Sequence, residues 1–189
     1  MLAPRLAGIT LLIASALLVR PPAAVAQPDL PGLSLAVGFG VASAPHVLDV
    51  EPVPKPVSGI VSWTFEPPLA VELRGSFMNA ESADVDQPPL EMVHVELNLT
   101  YSALAWHRLA PFATAGVGGM RMRHADARAV NAGAGLFLDL SNGVRLRFDA
   151  RDVAYRIPGD ASAGYRNTAE AFVGFSFDVF PLPGTGAGK

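Results

Sequence analysis

Apolar and polar residues alternate with a period of two through most of this chain, and this alternation constrains the fold more than any other feature. The clearest example runs from Val93 to Tyr101, where odd-numbered residues are apolar or aromatic and even-numbered residues are polar. Successive side chains of a β-strand point to opposite faces, so the pattern predicts a strand with one apolar and one polar face. No helical period of comparable length occurs after residue 26. The chain is therefore predicted to be all-β.

The same alternation recurs in enough segments to predict eight strands. The other clear segments begin near residues 33, 57, 69, 130, 144 and 169, and an eighth, from Pro111 to Met122, has faces blurred by glycine. Each segment has roughly the 9–11 residues with which a tilted strand crosses a bilayer. Long polar connections alternate with short turns such as Ser141-Asn142-Gly143. Long loops at one end and short turns at the other are typical of transmembrane barrels.

Four segments carry a more specific resemblance, namely PFATAGVGG from Pro111, NAGAG from Asn131, RLRFDARD from Arg145 and FVGFSF from Phe172. With them, the chain over about residues 33–180 resembles the small outer-membrane β-barrel family (OmpA/OmpX-like barrels). The resemblance implies an eight-stranded antiparallel up-and-down transmembrane barrel in contact with outer-membrane lipid. It also implies insertion by the outer-membrane assembly machinery, which reads a last strand ending in an aromatic residue. Phe177 or Phe180 could fill that role, although residues 181–189 follow as a C-terminal tail.

Residues 1–26 are predicted to be a secretory signal peptide. Arg5 precedes the uncharged stretch Leu6 to Val19, which is shorter than the roughly 20 residues of a spanning helix. Ala24-Val25-Ala26 then fits the small-x-small pattern before a cleavage site. We expect export through the inner membrane and a barrel of residues 27–180 in the bacterial outer membrane. The alternative is that the apolar stretch remains as an N-terminal anchor helix.

The polar faces of a small barrel point into a lumen that has room only for side chains. Charges there must meet one another or water, because an unpaired buried charge is costly. Simple hairpin registers place Arg74 opposite Glu96, and Asp139 opposite Arg145. The predicted lumen ion network consists of Arg74, Glu96, Asp139, Arg145, Arg147, Asp149 and Arg151. We interpret it as a structural plug, with a narrow ion path and a ligand-binding or catalytic interior as the alternatives.

Four aromatic residues lie near the strand ends that lead into the short turns. Aromatic side chains concentrate where a barrel meets the membrane interface. These residues are therefore predicted to form an aromatic girdle, made of Trp63, Phe65, Tyr101 and Phe112.

Composition and motifs exclude several function classes. A net charge of −3 argues against nucleic-acid binding, and the absence of cysteine excludes a disulfide framework. The glycine-rich segment that contains Gly116, Gly118 and Gly119 lacks the lysine and the serine or threonine of a phosphate-binding loop. The histidines at positions 46, 94, 107 and 124 have unrelated spacings, so no metal or cofactor is expected. No Gly-x-Ser-x-Gly motif occurs, which removes the sequence support for a serine hydrolase of that type.

These observations favour a non-enzymatic, monomeric outer-membrane barrel with a plugged polar lumen. Such a protein would support the envelope and present surface loops, so any ligand recognition is expected in residues 43–56, 79–91 and 156–166. One alternative is a lipid-modifying barrel enzyme, for which His94, Glu96 and Asp149 are the residues to test. The other is a soluble periplasmic lipocalin-like carrier, which requires an apolar lumen.

Overall fold

The computed structural model describes residues 32–43, 55–66, 68–80, 90–102, 108–122, 125–141, 143–156 and 165–181. These residues form eight strands: β1 (Gly32–Ala42), β2 (Val57–Glu66), β3 (Leu69–Ala80), β4 (Leu90–Ser102), β5 (Leu109–Met122), β6 (Ala125–Ser141), β7 (Val144–Arg156) and β8 (Arg166–Pro181). Within the described ranges, no helix is long and apolar enough to cross a membrane. The signal peptide predicted at residues 1–26 and residues 182–189 of the tail lie outside these ranges.

The eight strands close into an antiparallel up-and-down barrel. Each strand pairs with the next in sequence, and β1 closes the sheet by pairing with β8. The turn between β6 and β7 contains Gly143, whose φ of 76° is a left-handed conformation that glycine adopts without strain. The all-β, eight-stranded prediction is therefore confirmed.

The pairing register fixes the tilt and width of the barrel. Following cross-strand partners once around the sheet from Gly32 leads to Ala42, ten residues further along β1. With a rise of about 3.3 Å per residue and a strand spacing of about 4.8 Å, this offset gives a tilt of about 40° and a radius of about 8 Å. A barrel of that radius encloses side chains and leaves no wide channel.

Several strands are longer than the alternation predicted, with lengths from 10 residues in β2 to 17 in β6. The connection between β5 and β6 is short, because Met122 already pairs with Ala125. The ends of the predicted loops 43–56, 79–91 and 156–166 also belong to strands or flank them, and their central parts lie outside the described residues. Strands extend beyond the membrane band because hairpin pairing continues to satisfy backbone groups there.

The outer wall of the barrel is apolar over a height that suits a membrane. On β4, outward residues from Val93 to Tyr101 are apolar or aromatic, and their eight steps cover about 27 Å along the strand. At a tilt of about 40° this is about 20 Å of membrane height, close to the apolar band of known barrels. Polar residues face inwards instead. This arrangement is the reverse of the apolar lumen that a lipocalin-like carrier requires, so that alternative is wrong.

Candidate functional site

The lumen is filled by three layers of side chains. The short-turn layer consists of small polar residues and two aromatics (Ser34, Ser62, Thr64, Thr100, Phe112, Phe137 and Ser176). The ion layer in the middle consists of Glu72, Arg74, Glu96, Arg147, Asp149, Arg151 and Glu170. The methionine layer, at the end with the long connections, consists of Met78, Met92, Met120, Met122, Val153 and Tyr155.

Arg147 of β7 spans the lumen to Glu72 of β3. Its Nη1 and Nη2 atoms donate to the two carboxylate oxygens of Glu72 at 2.8 and 2.9 Å, and Nη2 also donates to Asp149 at 2.9 Å. A two-pronged contact between a guanidinium and a carboxylate is the strongest geometry for such a pair. Both side chains are about 2% exposed. The contact therefore ties opposite walls of the barrel together, away from bulk solvent.

Arg151 continues the network towards the methionine layer. Its Nη1 atom donates to Glu96 Oε2 at 2.7 Å, while Nε and Nη2 both donate to Asp149. The second oxygen of Glu96 lies 3.4 Å from His94 Nε2. Arg147, Asp149, Arg151, Glu96 and His94 thus form one chain of charged and polar contacts along the barrel axis.

Arg74 makes a separate crossing of the lumen. The predicted register of Arg74 opposite Glu96 is present, yet the guanidinium donates to Glu170 at 3.1 Å and to Ser58 at 3.3 Å. It also lies 5.4 Å from the ring centre of Phe172, a cation–π distance. A long arginine side chain reaches across an 8 Å radius, so the carboxylate that it meets need not be the one opposite it on the neighbouring strand.

Asp139 and Arg145 lie outside the ion layer. They are cross-strand partners as predicted, but Arg145 donates to Asp178 at 2.8 Å, and both members of that pair are partly exposed. Residues near the mouth of the lumen have water and flanking charges within reach, which a hairpin register does not take into account.

The sequence interpretation left Glu72 and Glu170 out of the network, although both belong to it. The alternation of faces could have identified them, because Glu72 and Glu170 are even-numbered residues on the polar faces of their strands, as Arg74 is on β3. What the alternation cannot give is the pairing across the lumen, which depends on barrel width and tilt.

Three of the four predicted girdle residues, Trp63, Phe65 and Tyr101, are exposed on the outer wall at the short-turn end. Phe112 is a correction, since it is 3% exposed and faces the lumen. On β5 the odd-numbered residues face outwards. The glycines at positions 116, 118 and 119 obscure this alternation in the sequence. Phe112 packs on Phe137 at 4.6 Å between ring centres, and Arg147 lies 4.6 Å from its ring centre. Phe112 therefore packs against the ion layer from the short-turn side.

A small cavity opens in the short-turn layer and ends at Glu72 and Arg147. Its volume of about 30 Å³ has room for about two water molecules. Among the residues that the structure describes, no three His, Cys, Asp or Glu side chains converge as metal ligands. The middle of the lumen is thus occupied by ion pairs rather than by a ligand pocket.

An apolar outer band around a closed, polar-filled barrel of eight strands defines this protein as a small transmembrane β-barrel of the outer-membrane type. The structure is similar to that of Neisserial surface protein A (NspA), with a TM-score of 0.60, 8% identity, and coverage of 78% of this chain and 96% of that one. OprG from Pseudomonas aeruginosa gives a TM-score of 0.55 at 11% identity, covering 80% and 97%.

A third similar structure is that of the outer membrane enzyme PagL, with a TM-score of 0.52, 12% identity, and coverage of 77% of this chain and 99% of that one. No family model matches the sequence, and no curated protein matches it either. The likenesses show the fold and support a location in the bacterial outer membrane. Since the same fold carries an enzyme, they leave the activity to be argued from the residues of this chain.

Proposed function

We propose that this protein is a non-enzymatic outer-membrane barrel with a closed lumen. It supports the envelope and presents residues 43–56, 79–91 and 156–166 at the cell surface. The observation that carries the proposal is the ion layer, in which three arginines each contact carboxylates from another strand or wall. A barrel that transported solutes would need an open path where these contacts lie.

The ion layer resists opening because its charges are buried and held by one another. Separating Arg147 from Glu72 would leave the Glu72 carboxylate buried without its arginine, and removing one partner of a buried pair typically costs about 3–5 kcal/mol. A permeating ion would have to separate several such contacts in succession. The network is accordingly a plug rather than a selectivity filter.

The outer wall supports the non-enzymatic half of the proposal. Across the apolar band, no outward position in the described strands carries serine or histidine. The outward carboxylate of Asp152 accepts a hydrogen bond from Asn167 at 3.3 Å near the long-connection edge. An enzyme that acts on membrane lipid needs a nucleophile or a general base within reach of that lipid.

Planar-bilayer recording of the purified, folded protein tests the closed lumen. We expect no steady conductance from the wild-type protein. The double variant Glu72→Ala/Arg147→Ala removes both members of the widest crossing and should admit ions. The matched control Arg121→Ala/Asp126→Ala removes the same kind of pair at an exposed position and should stay silent. A steady ohmic conductance of the wild-type protein would overturn the closed lumen.

Lipid A composition tests the enzymatic alternative. Expression of the wild-type protein should leave the mass spectrum of lipid A unchanged. A modified lipid A that returns to normal with His94→Ala, Glu96→Ala or Asp149→Ala would show an enzyme and contradict the proposal.

Export through residues 1–26, insertion by the assembly machinery and a monomeric state complete the proposal. The last strand supports the insertion step, because outward Phe175 and Phe177 alternate with inward Gly174 and Ser176. Membrane fractionation with a gel of boiled and unboiled samples should place a heat-modifiable monomer in the outer membrane. Recovery of a soluble periplasmic protein would contradict this location.

A further inference from the structure

The methionine layer has a composition that packing alone leaves unexplained. The chain has five methionines, and the four that follow Met1 all lie in this layer, none more than 7% exposed. Methionine fills irregular gaps in cores, which accounts for one or two of them. Four thioethers next to a buried histidine form a set of soft donor atoms, and such a set has a chemistry of its own.

Three of these methionines and His94 form a rectangle on the inner wall. Met92 is the cross-strand partner of Met122, and His94 is the partner of Met120. Partners opposite each other are about 5 Å apart, and positions two apart on a strand are about 6.7 Å apart. Even the diagonal corners are then only about 8 Å apart, so the four inward side chains can converge on a point in the lumen above the centre of the rectangle. Met78 lies beside Met92, outside the rectangle.

His94 is the second observation that points to a ligand. Its side chain is 2% exposed, and neither Nδ1 nor Nε2 has a hydrogen-bond partner among the described residues. Nε2 faces Glu96 at 3.4 Å, while Met120 lies opposite on β5. Buried imidazole nitrogens normally have partners, since burying them without one costs free energy. An imidazole with an open nitrogen beside thioethers is a ready metal ligand.

The charges of the ion layer fit a monovalent cation. The fully buried charged side chains comprise four carboxylates (Glu72, Glu96, Asp149 and Glu170) and three guanidinium groups (Arg74, Arg147 and Arg151). With a neutral His94, one negative charge is in excess. Glu96 Oε1 and Glu170 Oε1 accept no hydrogen bond from the described residues, and Glu96 Oε1 is the oxygen that faces His94 Nε2. A single positive charge there would balance the excess.

We propose that Met92, Met120, Met122 and His94 bind one Cu(I) ion in the methionine layer. Thioether sulfurs are soft ligands that select Cu(I), and imidazole is a good copper ligand. The hard cations Ca²⁺ and Mg²⁺ require oxygen ligands, which the rectangle lacks. The site therefore takes a soft monovalent cation and discriminates against the divalent ions that are abundant outside cells.

Competition titration tests the site in the purified, folded protein. Cu(I) is added anaerobically against a chromophoric Cu(I) chelator, with Ag(I) as a redox-inert second probe. We expect one ion per chain. Met92→Leu and Met120→Leu each remove a ligand at nearly constant volume, and affinity should fall at least about tenfold, because even indirect partners of a metal are worth that much. The matched control Met78→Leu should bind like the wild-type protein.

Resonances of the methionine methyl groups provide a second readout that needs no variant. With ¹³C-labelled methionine methyls, addition of one equivalent of Ag(I) should shift three luminal signals and leave that of Met78 in place. Absence of binding by the heat-modifiable, folded protein would overturn the site. So would binding that survives in both Met92→Leu and Met120→Leu, because the ion would then be held elsewhere.

Discussion

The same kind of ion pair occurs in two places with opposite surroundings. Arg147 and Glu72 meet at 2.8 Å in the ion layer with both side chains 2% exposed, whereas Arg121 and Asp126 meet at 2.8 Å at the long-connection rim with both 73% exposed. In the lumen both charges are shielded from bulk water, while at the rim both are solvated. The shortest contact is equally long in both pairs, so burial, more than that distance, separates a contact that stabilises the fold from one that contributes little.

The rim pair still shifts the pKa of its carboxyl group. The side-chain hydrogen bond and the charge of Arg121 hold the pKa of Asp126 below its ordinary value. Because the folded-state pKa is depressed, the pair stabilises the fold above the unfolded pKa of the aspartate, and this contribution disappears as the pH falls through the folded pKa. Salt screens such an exposed pair as well.

The largest expected effect comes from removing one partner of the luminal pair. Glu72→Leu or Arg147→Met leaves an uncompensated charge in the ion layer, and the free energy of unfolding should fall by about 3–5 kcal/mol. Reversible urea unfolding in detergent, followed by the gel shift of the folded barrel, measures it. The double variant should recover most of the loss, since two apolar side chains leave no charge unpaired.

Additive losses in that double variant would break the comparison. Such a result would mean that the two side chains contribute independently, as packing groups, and that their contact does not tie the walls together.

The contrast between inside and outside should hold for uncharged positions too, with a smaller effect. A Cβ atom at inward Gly116 would overlap Asn98 Oδ1 and the Leu97 carbonyl oxygen, whereas outward Gly75 has no atom within 4 Å of that position. Gly116→Ala should therefore cost about 1–3 kcal/mol of unfolding free energy. Gly75→Ala should be neutral or slightly stabilising, because alanine lowers the entropy of the unfolded chain. Equal losses at the two positions would show that the lumen is loosely filled.

The smallest effect is expected at the rim. Asp126→Asn should leave the unfolding midpoint at pH 7 within the error of the wild-type value, since exposed pairs contribute little. Any difference should shrink in high salt and vanish at a pH below the folded pKa of Asp126. A loss as large as that of Glu72→Leu would contradict the importance assigned to burial.

Together with the alternation of long and short connections, period-two alternation was enough to predict the number of strands, the barrel and the inward face of the charged residues in the predicted network. It failed for Phe112, because glycines on β5 concealed which face was apolar. It also paired Arg74 with Glu96 and Arg145 with Asp139. In the structure, Arg74 binds Glu170 and Arg145 binds Asp178 instead. Neighbouring-strand registers are local and follow from hairpins, but contacts across the lumen depend on the ten-residue offset of the closed sheet, which no single hairpin contains.

Osmotic water permeability tests the central claim, that the ion layer closes the lumen, more directly than any other measurement. Water is the smallest molecule that an incomplete plug would let through. In stopped-flow experiments, proteoliposomes that contain the wild-type protein should shrink at the rate of protein-free liposomes, and Glu72→Ala/Arg147→Ala should shrink faster. Fast shrinkage with the wild-type protein, at a low activation energy, would contradict a closed lumen.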